Sequence, residues 1–226
     1  MSGEGSLLEV VQGLLERTYR MRTDLRDIGR FVVGDAGYRT LYRHDEPVVS
    51  GSGYGDGART LVRETECGVR ACIYYPDDLI ATLERHPPHR GLHEENVDAF
   101  ATLVEEVDHL LCIAERVRQE RGVSLFELEL HANVSKHLVL TRFLSGASRP
   151  LDGERRAWLR WHLFHKGSPA DPDAAVCERY RDAIRWALRF LDTGSRLRPR
   201  ERIDALRRFH AAGAAEKLEL IRGLPA

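Results

Sequence analysis

Between Val97 and Val117 the apolar residues Val97, Phe100, Leu103, Val104, Val107, Leu110, Leu111, Ala114 and Val117 recur at helical spacing without interruption. A stripe of that length predicts one long helix with a face that must be covered. Gln119 to Val123 hold the next turn, and Ser124 with Glu127 three residues on has the form of a capping box opening a second helix that runs to about Leu144. That second helix is apolar on two sides, with Phe126, Leu130, Val134 and Leu138 on one and Leu125, Ala132, Val139, Leu140 and Phe143 on the other. It reads as a central helix, so the chain is expected to fold around a helical hairpin made of 97–121 and 124–144.

The flanking segments fill in an α+β fold that is mostly α. Leu7, Val10, Val11, Leu14, Leu15, Met21, Leu25 and Ile28 predict a first helix from Leu7 to about Ile28. Tyr38 to Arg43 alternates like a strand, Ser50 to Gly57 is a glycine-rich loop, and Arg59 to Glu66 and Val69 to Tyr75 read as strands joined through Cys67-Gly68. Pro76-Asp77-Asp78 starts a short helix, and His86-Pro87-Pro88-His89 breaks the chain again. A small N-terminal antiparallel sheet within 1–90 is thus expected to precede a helical part, 91–226, with further helices at about 153–165, 172–191, 200–211 and 214–223. The connections at Ser145 to Pro150 and Gly167 to Pro172 are short, which favours one compact domain over 1–226.

Composition removes several classes of function. With 34 Lys+Arg against 35 Asp+Glu and 42% hydrophobic residues, the chain matches neither a disordered polymer nor a wholesale polyanion binder. No window approaches eighteen consecutive apolar residues, and Met1-Ser2-Gly3-Glu4-Gly5 lacks the pattern of a signal peptide, so no membrane association and a cytoplasmic location are expected. The four cysteines, Cys67, Cys72, Cys112 and Cys177, include no Cys-x-x-Cys pair and are read as reduced, with Cys67 and Cys72 near enough along a hairpin to approach each other. Only Lys136, Lys166 and Lys217 are lysines, which singles out any lysine in an apolar setting.

Charge gathers on the hairpin. From His93 to Leu130 there are ten acids and three arginines, a balance of −7. Glu106 and His109 lie three apart on one ridge, about 100° and about 160° round from Val107, the spacing by which a helix offers a carboxylate and an imidazole to one ion. On a charged helix the plainer meaning of such a pair is a solvated face. Glu129 and Lys136 stack seven residues apart among apolar neighbours of the second helix, so at least one is expected to be buried or to line a cleft. A hairpin turning near residue 122 would set His109 level with Lys136 and His137 and Glu106 level with Val139, with Asn133 a turn away and Glu129 roughly 10 Å further along the axis. The metal ligands are then Glu106, His109 and His137, a set suited to zinc or iron. Glu105 is the expected general base, Lys136 the stabiliser of an oxyanion, and Glu129 their support. His86, His89 and His93, or His162 and His165, are further sources of a ligand, each also explicable as surface or packing histidines.

The order of small sheet, short helix and long helix bearing Glu105-Glu106-Val107-Asp108-His109 resembles the zincin-like metallopeptidases over about residues 59 to 137, with one histidine where that family's motif has two. The resemblance implies a zinc-dependent hydrolase. The residues alone support a metal-dependent enzyme, hydrolytic in type, with the glycine-rich loop as lid. The alternative is a non-catalytic interaction or regulatory protein that binds a protein partner through its acidic stretch and basic C-terminal helices. Nucleic-acid binding through Arg196, Arg198, Arg200, Arg202, Arg207 and Arg208 is a weaker third reading, since such a cluster more often forms a solvated helix face.

Overall fold

A computed structural model describes residues 5–41, 48–50, 57–66, 68–145, 151–167 and 173–224. Most of the glycine-rich loop, and with it the expected lid, lies outside these residues, as does Cys67. The fold is α+β and mostly α. Its helices are α1 (Leu7–Tyr19), α2 (Asp35–Leu41), α3 (Asp77–Arg85), α4 (Val97–Arg118), α5 (Leu125–Ser145), α6 (Gly153–Phe164), α7 (Ala174–Ser195), α8 (Pro199–Ala211) and α9 (Ala214–Gly223). The strands are β1 (Val32–Val33), β2 (Val48–Ser50), β3 (Arg59–Thr65) and β4 (Gly68–Tyr74).

The sheet order is β1-β4-β3-β2. The β3–β4 hairpin is antiparallel as expected, β2 adds an antiparallel strand that the sequence did not indicate, and β1 joins β4 in parallel, so the sheet is mixed. Two further expectations fail for local reasons. The first helix stops at Tyr19 because Arg20 turns left-handed (φ 61°) and donates its N–H back to the Glu16 carbonyl; Ile28 then starts a separate 3-10 turn. Tyr38, expected in a strand, is helical: its ring stacks on Tyr74 at 4.4 Å, while the Tyr74 hydroxyl donates to Asp35 Oδ1 at 2.7 Å. Contacts to the sheet have overridden a short alternating pattern.

Helices α4 and α5 form the predicted hairpin, closed by Glu120 at φ 54°. Its entry is stitched by the buried Asn96, whose amide donates to the carbonyls of His86 and Gly91 and accepts from the His93 N–H. Across α4 pack β3, β4 and α3; α1 lies against α4 and α8; α6 and α7 cover α5. Tyr75, fully buried, ties the end of β4 to α4 by donating its hydroxyl to the Leu103 carbonyl at 2.8 Å. One contiguous apolar core extends from Val11 to Ile221. Because both hairpin helices are covered on every side near their middles, residues 103–113 and 127–135 are buried without a break. The charged residues of those stretches are therefore interior, and Glu106 and His109 belong to no solvated face.

Candidate metal centre

The hairpin register brings Lys136 opposite Glu105, one turn before the expected His109. Lys136 Nζ donates to Glu105 Oε2 at 2.7 Å. The same shift carries Glu129 inward: one donor atom from each of Glu105, His109 and Glu129 lies within 4.8 Å of the others, and all three residues are buried. Glu129 is thus in the centre, where the expectation had placed it some 10 Å off. Glu105 likewise sits among the candidate ligands, at the i, i+4 spacing from His109.

Glu106 points toward the sheet. Its Oε2 accepts from the Thr60 hydroxyl at 2.8 Å and lies 3.6 Å from His109 Nδ1, and its Oε1 has no hydrogen-bond partner. His137 is not with the others. Being one residue beyond Lys136, it leaves α5 about 100° further round, stacks on Phe164 at 6.3 Å, and feels Arg160 and Asp192 instead. It is withdrawn from the ligand set. Burial, reinforced by the Arg160 charge, lowers its pKa to about 4.

A cavity of about 460 Å³ opens onto this centre between α4, α5, α6 and α7, lined by Glu105, Glu129, Asn133, Lys136, Lys166 and Tyr180 among others. Asn133, which lines the cavity, donates its side-chain N–H to the Glu129 carbonyl at 2.9 Å. Tyr180, from α7, gave no sign of a role in the sequence; burial and the nearby carboxylates of Glu129 and Glu105 raise its pKa.

Electrostatics follow from the count of charges. Glu105, Glu106 and Glu129 face the single ammonium of Lys136, which leaves −2 in a buried space if the imidazole is neutral. Protons must offset this. Burial opposes a charge on His109, yet Glu106, Glu129 and Glu105 together raise its pKa to about 10; burial, with Glu105 adding to it, raises Glu129 to about 7. Neither ring nitrogen of His109 has a hydrogen-bond partner. A divalent cation would supply the missing charge and accept the imidazole lone pair in place of those protons.

The other histidine groups stand apart. His162 borders the cavity, but its two nitrogens are engaged by Asp98 at 3.1 Å and by Glu94, so it is no spare ligand. His86 and His93 meet around Glu95 at 3.5 and 3.4 Å on the surface, a separate possible ion group. In the basic segment Arg202 caps the end of α7, donating to the carbonyls of Gly194, Ser195 and Leu197, and Arg198 pairs with Glu201. These are local structural uses of two of its arginines.

Sequence reasoning missed a second interior network. Asp108, Cys112 and Glu115 on α4, His131 and Ser135 on α5, His210 on α8 and Lys217 on α9 are all buried and joined. Asp108 and Cys112 share a face of α4 and His131 lies in the unbroken interior run of α5, which is the only local signal; nothing local indicates that His210 reaches them. Among the described residues no helix is long and apolar enough to cross a membrane. No protein-family model, no curated protein and no solved structure matches this chain.

Proposed function

We propose that this chain is a metal-dependent hydrolase whose ion is held by Glu105, His109 and Glu129 at the floor of the α4–α5–α7 cavity. The observation that carries the reading is His109, an imidazole with two unpartnered nitrogens set among three buried carboxylates. One imidazole nitrogen and two carboxylate oxygens are a donor set that suits zinc or ferrous iron, and Glu105 and Glu129 also line the cavity. Such an ion, held by Glu105, His109 and Glu129, would lower the pKa of a bound water toward neutrality. Lys136, beside Glu105, is placed to stabilise an oxyanion, and Glu106, whose Oε2 lies 3.6 Å from His109 Nδ1, supports the imidazole. A cavity of about 460 Å³ is sized for a small molecule or one side chain of a larger one. The reading includes a cytoplasmic location, where reduced thiols persist.

Metal analysis of untagged protein purified without chelator is the test. One equivalent of zinc or iron should disappear in both Glu129→Gln and His109→Ala. Metal content equal to wild type in both variants would overturn the reading and leave the non-catalytic interaction protein as the better one.

A further inference from the structure

Cys112, His131 and His210 hold a second donor set, about which the hydrolase reading says nothing. One donor atom from each lies within 4.8 Å of the others, and all three residues are buried. The carboxylates around the rings decide which nitrogens are available. Asp108 Oδ2 lies 2.8 Å from His131 Nδ1, and Glu115 Oε2 is hydrogen-bonded to His210 Nε2. A carboxylate accepts, so both of those ring positions carry the proton, and the lone pairs of neutral rings fall on His131 Nε2 and His210 Nδ1. These two atoms face each other at 3.0 Å. Two lone pairs so placed repel unless something cationic lies between them or one ring carries a second proton.

Carboxylate, histidine and ion in sequence is the arrangement by which outer carboxylates orient imidazole ligands. Here it occurs twice and converges. The Cys112 sulfur lies 3.4 Å from His131 Nδ1, the nitrogen that Asp108 engages, so a sulfur–ion bond at the Nε2 side needs a turn of the Cys112 side chain within the 4.8 Å grouping of the three donors. Beside the three side chains is a void of about 10 Å³, also bordered by Glu127 and Lys217. The rings are fixed by packing: His131 lies 4.5 Å from Tyr19 and stacks on Phe209 at 5.7 Å.

We infer that Cys112, His131 and His210 form a structural zinc site that joins α4, α5 and α8. A soft thiolate with two imidazoles favours zinc over harder cations, and a void of about 10 Å³ against about 460 Å³ at Glu129 leaves no room here for a substrate. Binding forms the zinc–sulfur bond and releases the thiol proton to solvent, with no change of oxidation state. The surrounding buried charges agree. Asp108, Glu115 and Glu127 oppose Arg116 and Lys217 for −1, the thiolate makes −2, and the ion balances it.

Zinc-edge X-ray absorption on wild type and on Glu129→Gln tests this without disturbing the cluster. The expected result is a sulfur shell at about 2.3 Å, present in both proteins and more prominent in Glu129→Gln, where the sulfur-free centre has lost its ion. Cobalt-substituted wild type should show sulfur-to-metal charge transfer in the near ultraviolet, lost in Cys112→Ser and kept in Glu129→Gln. If Cys112→Ser does not fold, refolding of wild type from denaturant with and without zinc gives the same decision, since recovery should require the ion. Only nitrogen and oxygen scatterers, no charge-transfer band and zinc-independent refolding would overturn the inference and make the His131–His210 contact an N–H···N hydrogen bond with one ring doubly protonated. Failure here leaves the hydrolase reading standing, because that reading is judged by the metal lost in Glu129→Gln and His109→Ala.

Discussion

His109 and His137 are both interior, and their surroundings drive them in opposite directions: acids hold the first protonated up to about 10, while burial with Arg160 keeps the second neutral down to about 4. Lys136, paired with Glu105, owes its raised pKa to Glu105, Glu129 and Glu106 prevailing over burial. The proposed role of Lys136 as oxyanion stabiliser predicts that Lys136→Met lowers kcat about 100-fold or more in metal-loaded protein, measured on the folded fraction with metal content checked. A kcat equal to wild type would reduce the lysine to a neutraliser of Glu105. Of the residues the sequence singles out, the structure brings Glu105, Glu106, His109, Glu129 and Lys136 together, and they were legible because ionisable groups interrupt apolar stripes there. Reading the sequence alone misplaced His137, since one residue on a helix is 100° of rotation. It passed over His131 and Cys112, which among leucines, valine and isoleucine resemble ordinary core.

Helices meet through a few buried charges, and Arg116 is the one that binds most elements together. From the end of α4 it donates to Glu127 Oε1 at 2.6 Å on α5 and to the carbonyls of His210 and Ala212 at 3.2 and 2.8 Å at the end of α8. Those carbonyls are the unsatisfied end of a helix, so the guanidinium acts as a C-cap delivered from another element. Glu127 itself was expected to be accounted for by the capping box. Its backbone N–H does donate to the Ser124 hydroxyl at 3.1 Å, but its carboxylate turns inward to Arg116 and Lys217. Arg116→Ala should therefore cost about 1–3 kcal/mol, by removing one of the two buried cations on Glu127 and the α8 end, the other being Lys217, which donates to Glu127 Oε1 at 3.1 Å and to the Ala212 carbonyl. Urea unfolding measures it; a loss below about 1 kcal/mol, as for an exposed pair, would show that α8 is held by its apolar face alone. Helix existence was legible from periodicity because each stripe is local. The register of α4 against α5 was not, because it depends on the left-handed residue at Glu120 and on which charges find partners across the interface.

For the molecule as a whole, these titrations set how stability responds to pH in metal-free protein. Glu129 has its folded pKa raised from 4.5 to about 7, so the folded state binds the proton more tightly than the unfolded chain. Its contribution is fully present below about 4.5 and is lost as pH rises through 7. His109 behaves alike at higher pH, present below 6.5 and lost as pH rises through about 10. His137 has the opposite sign: depressed from 6.5 to about 4, it stabilises above 6.5 and that contribution is lost as pH falls through 4. Between about 4.5 and 6.5 the Glu129 and His137 slopes therefore oppose each other, and the wild-type profile should be shallow there. Removing one partner exposes the other. In metal-free His137→Gln the Glu129 contribution, on the order of 3 kcal/mol, should lower the unfolding free energy as pH rises from 4.5 to 7, offset in part by His131, whose pKa burial also lowers. In metal-free Glu129→Gln it should rise over 4 to 6.5. Zinc added to His137→Gln should abolish the fall, because an ion on Glu129 displaces the proton whose loss causes it. Denaturant unfolding at a series of pH values, with and without the ion, would separate these cases. A slope in His137→Gln that zinc leaves unchanged would mean that Glu129 titrates without being a ligand, and the charge argument for the centre would fail with it.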